Sequence, residues 1–213
     1  MSIEMAYDGP VARDIFLFGA PGAEVSNETG ELELSEAGIA CTGLAAAYWQ
    51  AHQPETERII SLAGYAGSRT GMAAPPEGQT EAGLSNALLI ESGIPAEAIV
   101  PPTGHDKRYA HSTIDEICLA MEYGITDPRR YTSDSPLGVV ISTPGHGRRA
   151  LDAFDKVGFD KNSIRIMAAS PETPPIERAA RVLYGIFVVS GSAVIEPAKL
   201  QKREERLMRI LRG

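Results

Sequence analysis

An α/β fold, with a mainly parallel sheet of about five strands and helices on both faces, is what this sequence predicts, and three observations predict it. Short β-branched or aliphatic runs alternate with longer segments of helical period, as a parallel sheet covered by helices requires. Three helical segments end in Gly and an apolar residue, Gly93-Ile94, Gly124-Ile125 and Gly158-Phe159, the mark of a left-handed C-terminal cap. Two of those caps lead within a few residues to another apolar run, the layout of a right-handed βαβ crossover.

The elements follow in order. Ile15 to Phe18 is a short apolar run closed by Gly19 and reads as the first strand; a helix follows over Ser35 to Gln50. Arg58 to Ala63, closed by Gly64, is the second strand, and Glu81 to Ser92 the helix that ends at the first Gly cap. Ile99 to Val100 is a third strand. The helix Ser112 to Tyr123 has Ser112 as its N-cap and Asp115 at the capping-box position. After the second cap, the polar stretch Thr126 to Pro136 reads as a loop. Val139 to Ser142, the helix Gly147 to Val157 and the strand Ile164 to Ala168 complete the sheet, and a further helix is expected over Ile176 to Tyr184.

With 213 residues the chain is long enough for one substantial core, so residues 1–196 are expected to form a single domain. Residues 197–213 differ: Leu200, Leu207, Ile210 and Leu211 recur at helical spacing among Lys199, Lys202, Arg203, Arg206, Arg209 and Arg212. That is an amphipathic helix, expected to pack on the domain or on a second copy of the chain. Hydrophobic residues make up 43% and charged residues 23%, which is ordinary for a soluble globular protein, and the formal charge of −8 argues against a general nucleic-acid surface. Cys41 and Cys118 follow no metal or redox spacing and lie in apolar helical patterns, which points to reduced core thiols in a cytoplasmic protein. Met1 to Arg13 has no apolar stretch behind a basic start, and no run is long enough for a membrane span.

The chemistry concentrates in Gly138 to Ala150, where an apolar strand runs into a Gly-rich turn and a helix carrying His146, Arg148 and Arg149. Backbone N–H groups at a helix start, the positive end of the helix dipole and two guanidinium groups together suit a phosphate or carboxylate. The plainer reading is a strand-to-helix turn with solvated arginines. Gly19-Ala-Pro-Gly22 and Gly64-Tyr-Ala-Gly-Ser-Arg69 also follow predicted strands, so Gly19, Gly22, Gly64, Gly67 and Arg69 can converge with Thr143, Gly145 and Gly147 on the crevice where open α/β sheets bind ligands. None of these loops matches a dinucleotide or Walker A fingerprint, and no Gly-x-Ser-x-Gly nucleophile elbow occurs.

A second polar patch runs from His105 to Glu116. His105, Asp106 and His111 suit a substrate-binding or acid/base loop, a metal site together with His146, or a solvated loop leading into a cap. The spacing singles out no metal, so binding without one is the expectation. Glu81 begins a helix, where a carboxylate is favoured by the dipole whatever its function. Facing the same crevice as His146, it would complete a carboxylate and imidazole pair for proton transfer.

The order of these pieces resembles the YdcF/SanA/ElyC family over about Asp14 to Ile166. The resemblance is carried by Asp14-Ile-Phe-Leu-Phe-Gly19, Ile59-Ile-Ser-Leu-Ala-Gly64, Glu81-Ala82 twelve residues before Gly93-Ile94-Pro95, a Ser-Thr-acidic helix start, and His146-x-x-Arg149-Ala150. It implies a three-layer Rossmann-like domain, closest to the soluble YdcF branch, with S-adenosylmethionine as a ligand. On matching positions it implies site roles for Gly19, Gly64, Glu81, Thr113, His146 and Arg149. Three departures imply an altered pocket: no arginine between Leu32 and Ala51, Thr113-Ile-Asp-Glu116 in place of Thr-x-Glu-Asn, and an insertion holding His105 and His111.

The function expected is that of an enzyme acting on a small anionic or nucleotide-like substrate by group transfer or hydrolysis. His146, His111 and Glu81 are its acid/base candidates. Gly19, Gly22, Gly64, Gly67, Arg69, His105, Thr113, Asp115, Thr143, Gly145, Gly147, Arg148 and Arg149 are its binding candidates. The alternative is a binding or regulatory protein for S-adenosylmethionine or a nucleotide, in which the same groups supply affinity and no bond is broken.

Overall fold

The computed structural model describes residues 9–18, 22–64, 79–100, 110, 112–170, 172, 184–185, 188–191 and 194–211. Their elements in chain order are β1 (Asp14–Leu17), β2 (Ala23–Val25), β3 (Leu32–Leu34), α1 (Glu36–Ala51), β4 (Arg58–Ile60), α2 (Glu81–Glu91), β5 (Ile99–Val100), α3 (Thr113–Glu122), β6 (Leu137–Ile141), α4 (Pro144–Lys156), β7 (Ile164–Ala168) and α5 (Pro197–Leu211). The predicted α/β architecture is present: β5-β4-β1-β6-β7 form one sheet, all pairs parallel.

Alternation along the strands builds the three layers, because successive side chains point to opposite faces. Ile15, Leu17, Ile59 and Val140 pack with Cys41, Ala45, Tyr48 and Trp49 of α1 and Leu89 of α2. Phe16, Phe18, Ile60, Val139 and Ile141 face the other way, onto Ile114 and Ile117 of α3, Phe154 of α4, and Leu200 and Leu207 of α5. The C-terminal helix thus packs on the domain, where the Cys118 thiol also donates to the Pro197 carbonyl at 3.4 Å. Both cysteines are free and buried.

The three Gly caps form as predicted. Gly93, Gly124 and Gly158 have φ of 88°, 65° and 100°, and the next residue's N–H reaches back each time: Ile94 to Leu89, Ile125 to Ala120 and Phe159 to Phe154, at 3.0, 2.8 and 3.0 Å. These are Schellman motifs, closed by the apolar residue after the glycine. Ser35 caps α1 and Ser112 caps α3, accepting from the Gly38 and Asp115 N–H groups.

Three sequence expectations need correction. Helix α4 starts at Pro144, three residues before the predicted Gly147, because Thr143 is its N-cap and Pro144 occupies the first turn, where a missing N–H costs nothing. Strand β4 ends at Ile60 rather than Ala63, although Ala63 still forms a parallel bridge to Ala110. The antiparallel pair β2 and β3 was not foreseen; Ala23-Glu24-Val25 and Leu32-Glu33-Leu34 do alternate, but three residues are too few for the alternation to stand out. The helix expected at Ile176 to Tyr184 falls, apart from Tyr184, outside the described residues.

Candidate functional site

The strand order fixes where a ligand would sit. Numbered along the parallel strands alone, the order is 3-2-1-4-5, so connections run one way from β1 and the other way from β6, with α1 and α2 on one face and α3 and α4 on the other. The crevice of such a sheet opens at the carboxyl ends of the two strands flanking the reversal. Here these ends are Phe18 and Ser142, with the Phe18 N–H donating to the Val140 carbonyl at 3.1 Å.

His146 stands at this point, one turn into α4 and 2% exposed. Its Nε2 lies 2.7 Å from the Thr113 hydroxyl at the start of α3, and its Nδ1 lies 3.5 Å from the Ser142 hydroxyl. The ring of Phe18 completes the wall, 6.4 Å between centroids. Burial, with the positive charge of Arg149 added, lowers the imidazole pKa to about 3. His146 is therefore a neutral link between two hydroxyls near pH 7, and it does not hold an anion as an imidazolium.

Arg148 and Arg149 part company. Arg148 is exposed on α4, whereas Arg149, three residues after His146 and on the same helix face, is half-buried. Its buried Nη1 has no hydrogen-bond partner among the described residues. Arg149 also lies near Tyr184, whose hydroxyl donates to Glu204 Oε1 at 2.7 Å. The other oxygen of Glu204 accepts from Ser112, the cap of α3, at 2.5 Å.

Gly147 was a binding candidate among the helix-start N–H groups, but its N–H and that of His146 are spent within the first turn of α4. The Gly147 N–H donates to the Thr143 carbonyl at 3.0 Å, the His146 N–H donates to Thr143 Oγ1 at 3.2 Å, and Pro144 has none to offer. Gly147 has a packing role instead. A Cβ there would stand 2.4 Å from Ile166 Cγ2, so its absence lets α4 lie close on the sheet. Thr143 serves as cap, and Gly145 is buried in the first turn. At α2 the Glu81 and Ala82 N–H groups donate to the carbonyls of Gly64 and Ala63 at 2.8 and 2.9 Å.

Glu81 is 3% exposed and pressed against Gly22, where a Cβ would stand 1.6 Å from Glu81 Oε1. Gly22 is thus a packing position for this carboxylate, and its carbonyl accepts from the Ser35 N–H at 2.9 Å. Asp115 accepts from Gln201 of α5 at 3.5 Å. Gly19, Gly67, Arg69, His105 and His111 lie outside the described residues.

Two residues of this region were missed by the sequence reading as site members. Glu116 is 2% exposed, its Oε2 has no hydrogen-bond partner among the described residues, and its carboxyl is held well above the ordinary carboxylate range by burial and by the charges of Glu81 and Asp115. Its spacing from Thr113, one helical turn, was the available signal. Glu204 is the second, hidden in what reads as the polar face of an amphipathic helix. Among the described residues no group of three or more His, Cys, Asp and Glu is placed to hold a metal, and no helix is long and apolar enough to cross a membrane.

The geometry defines a Rossmann-like α/β domain with a buried imidazole, a half-buried arginine and two buried carboxylates at the switch point of its sheet. No family model, curated protein or solved structure matches the chain.

Proposed function

We propose that this protein binds a small anionic or nucleotide-like molecule in the crevice between β1 and β6 and acts on it by group transfer or hydrolysis. The observation that carries the reading is Arg149. A guanidinium with a buried N–H group that meets no partner among the described residues, beside a neutral imidazole at the switch point of a parallel sheet, suits a phosphate or carboxylate oxygen. The resemblance to the YdcF/SanA/ElyC family favours S-adenosylmethionine among the candidates. Two free, buried cysteines fit a cytoplasmic location.

A second reading, a binding or regulatory protein that breaks no bond, is favoured by one observation. Both ring nitrogens of His146 face protein hydroxyls, so the imidazole already serves the scaffold.

A thermal-shift panel of S-adenosylmethionine, S-adenosylhomocysteine, nucleotides and sugar phosphates tests the site, because a ligand of the folded state raises its stability. A shift in the wild type that vanishes in Arg149→Ala supports it; an unchanged shift in the variant refutes it. Turnover of the shifting compound, lost in His146→Ala while binding persists, then selects the enzyme over the binder.

A further inference from the structure

Glu204 is an acid where the pattern of its helix asks for an apolar residue. Leu200, Glu204 and Leu207 recur at i, i+4 and i+7 along α5 and form one buried stripe, 0, 3 and 4% exposed. The two leucines already seat α5 in the core that α3 shares. Gln201 to Asp115 and Cys118 to Pro197 join the same two helices. A third apolar side chain would serve docking as well, because replacing buried ionic groups by hydrophobes of similar volume is often neutral or stabilising.

We propose that Glu204 is a positioning residue for the crevice: it fixes the first turn of α3, and with it Thr113 and the His146 ring, which makes the C-terminal helix part of the ligand site. Its Oε1 accepts from the Tyr184 hydroxyl at 2.7 Å and its Oε2 from the Ser112 hydroxyl at 2.5 Å. A serine hydroxyl has one proton. With that proton aimed at Glu204, the Ser112 oxygen accepts from the Asp115 N–H at 3.1 Å, which is the capping bond of α3. A charged acceptor shortens and strengthens the hydroxyl bond and so locks the rotor that makes the cap. Thr113 is the next residue, and its hydroxyl stands 2.7 Å from His146 Nε2. One short path of hydrogen bonds and backbone thus leads from α5 to the imidazole. The effect on ligand affinity rests on the reading of the crevice as an anion site.

The test uses the full chain and two variants. Glu204→Met keeps the length of the side chain and removes the acceptor. Glu204→Gln is the rescue, since its Oε1 accepts from Ser112 while its amide donates to the Tyr184 oxygen. Denaturant titration, the nitrogen resonances of the His146 ring and titration with inorganic phosphate are measured on each. Glu204→Met should unfold at nearly the wild-type midpoint, yet show a displaced His146 Nε2 resonance and bind phosphate about tenfold more weakly, the equivalent of one well-placed hydrogen bond. Glu204→Gln should restore both readings. Should Glu204→Met fail to fold, Ser112→Ala breaks the same link from the other side and is read in its place. An unmoved Nε2 resonance, or one displaced as far in Glu204→Gln as in Glu204→Met, overturns the positioning role. So does phosphate binding that is lost only as the folded population is lost. A displaced ring with wild-type phosphate affinity overturns the part of α5 in the ligand site. Phosphate that binds no form of the protein overturns the anion reading instead, and the ring resonance of the ligand-free protein then decides the positioning role by itself.

Discussion

Replacing Gly147 by alanine pits two effects of opposite sign against each other. In a helix interior alanine is favoured over glycine by about 1 kcal/mol. Against this, the new Cβ would stand 2.4 Å from Ile166 Cγ2 and 3.4 Å from Ile141 Cγ2. The first overlap is roughly 1 Å inside ordinary carbon contact. Ile166 cannot swing clear easily, since Cγ2 is bonded directly to its Cβ, itself only 3.6 Å away. Either α4 lifts from the sheet or β7 bends; such overpacking costs about 1–3 kcal/mol, and an approach of 2.4 Å belongs in the upper part of that range, about 2–3 kcal/mol. The net expectation is a loss of about 1–2 kcal/mol, a Tm drop of roughly 3–6 °C for a chain of this size. Gly43, exposed on α1 with nothing within 4 Å of its added Cβ, is the control. Gly43→Ala should stabilise by about 0.5–1 kcal/mol. Denaturant titration of both variants measures the contrast. A Gly147→Ala protein as stable as the wild type would refute the close seating of α4 that places His146.

Other substitutions test the remaining contacts. Thr113→Val leaves His146 Nε2 buried without its 2.7 Å partner and should cost about 1–3 kcal/mol in denaturant titrations, most of it recovered in Thr113→Ser. Asp14 is fully buried at the opposite end of the sheet, where it pairs with Arg58 at 2.7 Å and Arg130 at 3.2 Å and accepts from the Tyr131 hydroxyl at 2.8 Å. Asp14→Ala should cost about 3 kcal/mol, the lower end for breaking a buried pair, because both arginines keep some access to water. His146 makes the protein acid-sensitive: with its folded pKa lowered to about 3, the unfolded chain takes up this proton first as pH falls below about 6.5. Stability is lost from there down toward the folded value, at up to about 1.4 kcal/mol per pH unit. In NMR titrations the His146 ring should stay neutral down to pH 5; a midpoint near 6.5 would contradict its burial.

What the sequence made legible was written in local chemistry. Ser35, Ser112 and the three Gly-apolar pairs mark helix ends by bonds within a few residues, so they could be read without the fold. The start of α4 was misread although Thr143 and Pro144 mark it locally, because the glycines that follow have a tertiary reason. Two glycines beside a proline look like a loop, yet Gly147 is small because Ile166 lies beneath it, and that neighbour comes from another strand. Glu116 was passed over because an acid in a first helical turn is ordinary dipole chemistry, and only Glu81 and the covering core make it exceptional. Glu204 was masked similarly: its partners Ser112 and Tyr184 are 92 and 20 residues away in the chain. Nothing in the sequence marked Asp14, Arg58, Arg130 and Tyr131 as one cluster; they are scattered polar residues until the parallel register joins them.

Amide chemical-shift mapping with inorganic phosphate tests the central claim most directly, because it reports where on the chain an anion sits. Phe18, Thr113, Glu116 and Ser142 to Arg149 should shift together as phosphate is added. Shifts gathered instead at Gly124, Ile125, Arg129 and Arg130, which line an open hollow of about 450 Å³ beside the Asp14 end of the sheet, would contradict it.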